Sequence, residues 1–164
     1  MADIIANKEV LMAAVEQDGH ALRLASQNLK EDKEVVLAAV KQNGHALEHA
    51  SQELKEDKEV VLAAVKQNGY ALQFASKELK EDKEVVLAAV GNNGGALQYA
   101  YQDLRDTEEI VFEAVKQNDK ALEYASGRIK KKISNLEHDG TIVEKFICLN
   151  KMSRAKSAKM VKAI

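Results

Sequence analysis

The chain has 164 residues, no proline, one cysteine and 4% aromatic residues, with a formal net charge of −2 at pH 7. This length suits one domain, and the many Ala, Val, Leu, Glu and Lys residues favour an all-α protein. A single cysteine excludes an internal disulfide framework and fits a reducing compartment. The N-terminal residues lack the regions of a Sec-type signal peptide, and no apolar run approaches the roughly 20 residues that cross a bilayer. We therefore expect a soluble, intracellular (cytoplasmic) protein.

A block of 25 residues repeats five times. Three successive copies are nearly identical, and the two outer copies are degraded. The copies begin at Asn7, Asp32, Asp57, Asp82 and Thr107. A fixed short period is typical of solenoid proteins, in which each unit buries its apolar face on its neighbours. Such architectures favour surface recognition over catalysis.

Each repeat carries signals for two helices. The starting residue predicts a helix N-cap, because all five side chains can accept a hydrogen bond from a free first-turn N–H. Glycine then predicts the end of this first helix in a left-handed conformation, at positions 19, 44, 69 and 94, with Asp119 in the fifth copy. In the second half of the repeat, apolar residues such as 46, 47, 50 and 54 predict a second helix with one face in water. Helices this short are unstable alone, so we expect the core to form by stacking of repeats.

The last 35 residues break the period and are basic. Residues 127–164 contain ten Lys and Arg against three Asp and Glu, whereas residues 1–126 contain 14 against 23. We divide the chain into a five-repeat helical array, residues 1–129, and a non-repetitive basic segment, residues 130–164. The exposed apolar face of a last repeat needs a cover, which favours a helical cap. The predicted fold is an all-α, solenoid-like array of about five 25-residue helix-turn-helix repeats with a C-terminal helical cap.

The string LKEDKEVVLAAVKQNGHALEHAS, residues 29–51, resembles an uncharacterised repeat family known as domain of unknown function 4116. The resemblance covers roughly residues 7–129 and implies a helical repeat protein. Members of that family occur in intracellular bacteria such as Legionella, in protists and in large DNA viruses. The resemblance therefore suggests a bacterial effector or host-interaction protein, translocated into a host cell without a Sec-type signal peptide. It implies no catalytic activity.

Positions that differ among the copies are candidates for partner binding. The position after the glycine and the position four residues later lie on or beside the outer side of the second helix. A recognition surface would vary in this way on a fixed frame, and so would exposed sites under neutral drift. The candidate partner-binding residues are His20, His45, His49, Tyr70, Phe74, Tyr99, Tyr101 and Tyr124. The rings at 49, 74, 99 and 124 either grip a peptide or, as we favour, fill the groove against the next repeat.

No residue set predicts an enzyme. His45 and His49 have a spacing that suits a shared metal ion, but the sequence offers no third ligand. Cys148 lies in an apolar run, which favours an inert buried thiol, and the glycines do not cluster into a phosphate-binding loop. We predict no catalytic residue, metal or cofactor. An active site near Cys148 and His138 is the remaining enzymatic alternative.

The basic segment supports the main alternative, binding to nucleic acid or to an anionic membrane surface. Its candidate anion-binding residues are Lys130, Lys131, Lys132, Arg154, Lys156 and Lys159. The acidic array would repel a polyanion, and residues 153–164 contain no aromatic side chain, so we disfavour both uses. The sequence thus predicts a non-enzymatic module that binds a protein or peptide, and it leaves the partner and the oligomeric state open.

Overall fold

The structure, a computed structural model, describes residues 5–135 and 140–147. One unit is built five times: a long α-helix, a 3-10 helix and a short α-helix. The long helices are α1 (Lys8–Gln17), α3 (Lys33–Gln42), α5 (Lys58–Gln67), α7 (Lys83–Asn92) and α9 (Glu108–Gln117). The 3-10 helices are η1 (Gly19–Leu24), η2 (Gly44–His49), η3 (Gly69–Phe74), η4 (Gly94–Tyr99) and η5 (Asp119–Tyr124). The short helices are α2 (Gln27–Lys30), α4 (Gln52–Glu56), α6 (Lys77–Lys80), α8 (Gln102–Arg105) and α10 (Gly127–Ser134), and residues 142–147 form α11.

Successive long helices pack side by side, and so do successive 3-10 helices, which confirms the predicted all-α array of 25-residue repeats. The core runs through the whole array. In the second repeat Val35, Val36, Ala39 and Val40 of α3 are all fully buried. Among the described residues, no helix combines the length and the hydropathy needed to cross a membrane.

The long helices begin where the N-cap pattern predicts. The Asp32 carboxylate accepts hydrogen bonds from the backbone N–H groups of Glu34 and Val35, at 3.0 and 3.3 Å. Asn7, Asp57 and Asp82 cap in the same manner. Thr107 does not: it occupies the N-cap position, but its hydroxyl donates to the carbonyl of Asp103 instead. The prediction of a side-chain cap was therefore wrong for this repeat.

The second half of each repeat is a 3-10 helix followed by a short α-helix, not the single helix that the apolar spacing predicts. Ala50 separates η2 from α4 in an extended conformation. The next residue, Ser51, donates its backbone N–H to the carbonyl of Lys30 in the preceding repeat, at 2.9 Å. The same bond joins Ser26 to Ile5, Ser76 to Lys55, Tyr101 to Lys80 and Ser126 to Arg105. The helix is interrupted because Ala50 and Ser51 are extended, which lets the Ser51 N–H bond to the neighbouring repeat.

An asparagine or aspartate starts each 3-10 helix, a signal that the sequence analysis missed. The Asn43 side chain accepts a hydrogen bond from the backbone N–H of His45 at 3.0 Å. The equivalent residues Asp18, Asn68, Asn93 and Asn118 cap in the same way. Asparagine is a strong capping residue, so the Gln-Asn-Gly string marks a new helix start as well as a helix stop.

The repeated glycine serves close packing rather than a left-handed turn. No described glycine has a positive φ, so the predicted left-handed conformation was wrong. A Cβ placed on Gly19 would lie 2.5 Å from the carbonyl oxygen of Ala39, in the next long helix. Gly44, Gly69 and Gly94 face the equivalent carbonyls of Ala64, Ala89 and Ala114. Asp119 is exposed and follows the last long helix of the array, which explains how a side chain is accommodated there.

The residues that end α3, α5 and α7 link their repeat to the one before. Gln67 accepts a hydrogen bond from the backbone N–H of Gly44 at 2.6 Å and donates one to the carbonyl of Gln42 at 3.3 Å. Asn92 makes the corresponding bonds one repeat later. Groups left free at the end of one helix are therefore satisfied by the following repeat.

Ion pairs join the N-terminal ends of the long helices. The Lys33 ammonium lies 2.8 Å from carboxylate oxygens of both Asp57 and Glu59. Lys8 and Lys58 make the same pair of contacts with the repeats that follow them. The hydrogen bond from Lys33 lowers the pKa of Asp57, and the bonds to Asp57 and Glu59 raise the pKa of Lys33.

A helical cap covers the last repeat, as predicted. Phe146 of α11 is fully buried, and its ring centroid lies 5.7 Å from that of Phe112 in α9. Helix α10 buries Ile129 and Ile133. The remaining residues of the basic segment, 136–139 and 148–164, lie outside the described part of the chain.

We predict that Gly44→Ala destabilises the protein by about 1–3 kcal/mol, because the added methyl overlaps a backbone carbonyl that cannot move freely. Gly91→Ala is the matched control. Gly91 lies in α7, and nothing lies within 4 Å of an added Cβ, so alanine should stabilise the helix by about 0.5–1 kcal/mol. Urea unfolding measures both changes. Equal stability of Gly44→Ala and the unsubstituted chain would contradict the packing role.

We predict a pH-dependent effect of Lys33→Met. The lowered pKa of Asp57 stabilises the fold above the ordinary value of 3.8, and this contribution disappears as pH falls through the lowered pKa. The difference in Tm between the unsubstituted chain and Lys33→Met should therefore be largest near neutral pH and should shrink below about pH 4. Lys41→Met, at an exposed site that has no ion pair with another described residue, serves as control and should give a difference that does not change with pH.

Candidate functional site

The outer side of the five stacked 3-10 helices, η1 to η5, is the surface where the copies differ most. We call it the 3-10 face. Side chains three apart are eclipsed in a 3-10 helix, so His45 and Glu48 point outward together while Gly44 and Leu47 are buried. The equivalent pairs are His20 with Arg23, Tyr70 with Gln73, and Lys120 with Glu123, whereas in the fourth repeat Gly95 is buried and only Gln98 is partly exposed. A fixed backbone thus carries a different pair of residues at these positions in each repeat.

Rings on the 3-10 face pack between repeats. The centroids of His45 and Phe74 are 5.9 Å apart, and those of Tyr70 and Tyr99 are 6.3 Å apart, both edge to face. Phe74 and Tyr99 are half-buried against the core. They fill a groove between repeats, but their recorded ring partners belong to the preceding repeat rather than the next one. Edge-to-face pairs add to the stacking energy of the array and hold the rings in place.

One pair of variable positions is explained by packing. A Cβ on Gly95 would lie 2.6 Å from the Tyr70 hydroxyl and 3.3 Å from the Tyr70 ring. The two residues occupy the same position in successive repeats, so a large side chain in one covers the absence of a side chain in the next. The change from tyrosine to glycine is therefore a local adjustment of shape and needs no partner to explain it.

The three candidate histidines differ in their surroundings. His20 is exposed, whereas His45 and His49 are half-buried. The Nδ1 atom of His45 lies 2.9 Å from the side-chain nitrogen of Asn68. Burial lowers the pKa of His49, Glu48 opposes this shift, and charges on the first repeat add to it. Among the described residues, no group of three His, Cys, Asp or Glu side chains could hold a metal ion.

Tyr101 and Tyr124 occupy different settings. Tyr101 is 42% exposed at the start of α8, and the ammonium of Lys77, at the start of α6, lies 5.2 Å from its ring centroid. Tyr124 is half-buried, and its backbone carbonyl accepts a hydrogen bond from Arg105 at 2.6 Å. Tyr101 is thus more accessible than the other tyrosine and phenylalanine rings among the candidate partner-binding residues.

The described lysines of the basic segment are largely engaged within the chain. Lys130 donates to the carbonyl of Glu123 at 2.6 Å, and Lys132 pairs with Glu108. Lys131 is exposed and has no recorded ion pair within residues 5–135 and 140–147. The other candidate anion-binding residues, Arg154, Lys156 and Lys159, lie outside the described residues, as do His138 and Cys148.

The Lys132–Glu108 pair is a charge-reversed copy of the internal ion pairs. Lys132 stands at the register of the N-cap residue Asp57, and Glu108 stands at the register of Lys33. The two charges are exchanged, but the contact joins the same positions in successive repeats. Lys132 therefore takes part in the pattern of ion pairs that joins successive repeats.

An open groove of about 780 Å³ lies between α3 and α5. Leu37, Leu62 and Ala63 form its apolar floor, and Lys41 and Lys66 flank it. Its walls consist of side chains that recur in most repeats, so its residues vary less from repeat to repeat than those of the 3-10 face.

We predict that Gly95→Ala destabilises the chain when Tyr70 is present and costs less in a Tyr70→Phe background, because the closest overlap is with the tyrosine hydroxyl. A double-mutant cycle by urea unfolding should give a coupling energy within the range of about 0.5–3 kcal/mol. Additive effects would contradict the packing explanation and return this position to the set of partner-binding candidates.

A comparison with protein families gives four overlapping matches to the family described as Domain of unknown function (DUF4116), over residues 7–55, 32–80, 57–105 and 82–130. Each match spans two successive repeats, consistent with a unit that folds only against its neighbour. No curated protein and no solved structure matches the chain. Because the matches together cover most of the sequence, the chain belongs to the DUF4116 family.

Proposed function

We propose that the chain is a non-enzymatic protein-interaction module whose 3-10 face binds a protein or peptide partner. The observation that supports it best is that the residues joining the repeats are constant, whereas those on the 3-10 face vary. The caps, glycines and inter-repeat hydrogen bonds recur every 25 residues, while the outward residues of the 3-10 helices change from one repeat to the next. The family has no assigned activity, so the partner must be identified by experiment.

The 3-10 face has the composition of a recognition surface. It presents ring edges from Tyr70 and Tyr99, an exposed acid at Glu48 and an exposed base at Arg23. Tyrosine and arginine are enriched among the residues that contribute most to binding. Edge-to-face packing between repeats already restricts the rings, so a partner would lose little side-chain entropy on binding them.

The spacing of the repeats suits an extended peptide. Packed helices lie about 8–10 Å apart, so three repeats span roughly 25 Å. A strand advances about 3.3 Å per residue, so about eight residues of an extended peptide would cross three repeats. Tyr70 and Tyr99 would then contact one segment, with Glu48 favouring a positive charge at its end.

The first experiment compares affinity capture from cell lysate by the unsubstituted chain and by a face variant, Glu48→Arg with Gln73→Arg and Tyr101→Ala. These positions are exposed or half-exposed, so the fold should tolerate the changes. The matched control carries Lys41→Glu and Lys66→Glu on the groove between α3 and α5. We expect a protein that is retained by the unsubstituted chain and the control and lost by the face variant. Its affinity for each purified variant should then follow the same order.

A third variant, Lys130→Ala with Lys131→Ala and Lys132→Ala, tests the alternative of nucleic-acid or membrane binding. Binding through phosphates should weaken steeply as salt concentration rises. If this variant abolishes all binding and the face variant none, the 3-10 face is not the interaction surface. The expectation of an intracellular protein that acts inside a host cell is part of the same proposal, and localisation of a tagged chain during infection would test it.

A further inference from the structure

The two ends of the array differ in how they are covered, and the junctions inside the array show which contacts each end lacks. In each internal junction a long helix is covered on one side by the preceding repeat. Val35, Val60, Val85 and Ile110 occupy the same position in four repeats and are each 0% exposed. Val10, the equivalent residue of the first repeat, is 56% exposed.

Other residues of the first repeat show the same difference. Ala14 and Ala21 are partly exposed, whereas their equivalents Ala39 and Ala46 are fully buried. Gln17 stands at the register of Gln67, which bonds to the backbone of the preceding repeat on both its oxygen and its nitrogen. Val10, Ala14, Gln17 and Ala21 therefore form one half of an interface that the molecule makes four times, and no other repeat among the described residues covers it. We call these four residues the leading face.

The leading face keeps the residue types of the internal repeats. Valine, alanine, glutamine and alanine stand at 10, 14, 17 and 21, as they do at 60, 64, 67 and 71. Its geometry and its polar groups are thus those that receive a preceding repeat. Glu9 at its edge stands at the register of Glu59, which pairs with a lysine of the preceding repeat.

The opposite end has lost the complementary residues. The side of a repeat that receives the next one carries Lys33, Leu37 and Gly44 in the second repeat. The last repeat has Glu108, Phe112 and Asp119 at those positions. Phe112 packs against Phe146 of α11, and Glu108 pairs with Lys132. A second copy of this chain therefore cannot offer a standard receiving side to the leading face.

We infer that the leading face docks onto the receiving side of a 25-residue repeat of the same type carried by another molecule. The partner would supply a lysine for Glu9, a glycine that admits the carbonyl of Ala14, and a helix-end carbonyl for the Gln17 amide. The chain would then extend the other array by five repeats. This interaction is independent of the 3-10 face.

The first test asks whether the leading face can receive a repeat. A copy of residues 32–56 is inserted between Ala6 and Asn7 of the full chain, which keeps the 25-residue register. Alkylation of a Val10→Cys, Cys148→Ser form then reports exposure at position 10. We expect alkylation at least about tenfold slower than in the five-repeat chain, since reaction would require local opening. An unchanged rate would overturn the inference.

The second test measures docking between molecules. The probe is a full chain with a restored receiving side, Glu108→Lys, Phe112→Leu, Asp119→Gly and Phe146→Asp, and with Val10→Asp to block its own leading face. Sedimentation velocity of this probe mixed with the unsubstituted chain should show a one-to-one complex. A Val10→Asp partner should abolish the complex, and an Asn28→Asp partner, which adds the same charge at an exposed position in α2, should retain it.

Control measurements keep the result decisive. Circular dichroism establishes that the array of the probe is folded. A second form of the probe carries Phe112→Cys in place of Phe112→Leu, together with Cys148→Ser, and its alkylation establishes that the receiving side is accessible. A folded, accessible probe that forms no complex overturns docking between molecules. Dimers of the unsubstituted chain that Val10→Asp disrupts would instead show a face-to-face pair of copies and overturn the assigned partner.

Discussion

The structure depends on how closely the backbone of one repeat approaches the next. Four of the 3-10 helices begin with a glycine placed against a carbonyl of the following long helix, where no Cβ would fit. This approach brings the helix-end groups of one repeat within hydrogen-bonding distance of Gln67 or its equivalents. Helices of ten residues have little stability alone, and the described array holds its core together by repeating this junction. Neighbouring repeats are therefore the real folding unit, which agrees with family matches that each span two copies.

The same constraint determines which residues remain available for binding. The contacts that build and join the repeats already use the N-cap residues, the glycines, the helix-end amides and the ion-pairing lysines. Some of the residue differences on the 3-10 face also serve packing. Tyr70 covers the space above Gly95, and the rings at 74 and 99 pack between repeats. The outward residues without such a role, such as Glu48 and Tyr101, are the better candidates for contact with a partner. Packing thus reduces the number of candidate partner-binding residues but leaves some of them available.

Charge follows the same logic. Lysines at the first helical position neutralise the N-cap carboxylates of the next repeat, so an acidic array carries its charge in paired form at this edge. At the last junction the pair is reversed, and the basic segment supplies Lys132 to Glu108. Part of the positive charge at the C-terminal end therefore stabilises the cap rather than forming an anion site. The leading face, by contrast, keeps its standard residues uncovered, so the two ends of the array have different capacities for assembly.

The sequence by itself determined the repeat length, the helical class, the starts of all five long helices and the need for a cover on the last repeat. These features depend on local capping chemistry and on periodicity, which a single chain displays directly. Only the tertiary structure decided that the second helix breaks at Ala50, that the glycines serve close approach, and that the rings of Phe74 and Tyr99 pack against rings of the preceding repeat. The physical reason is that each of these depends on atoms of the neighbouring repeat, roughly one 25-residue period away along the chain. Apolar spacing within one repeat shows which side of a segment is buried, and it does not show which neighbour buries it.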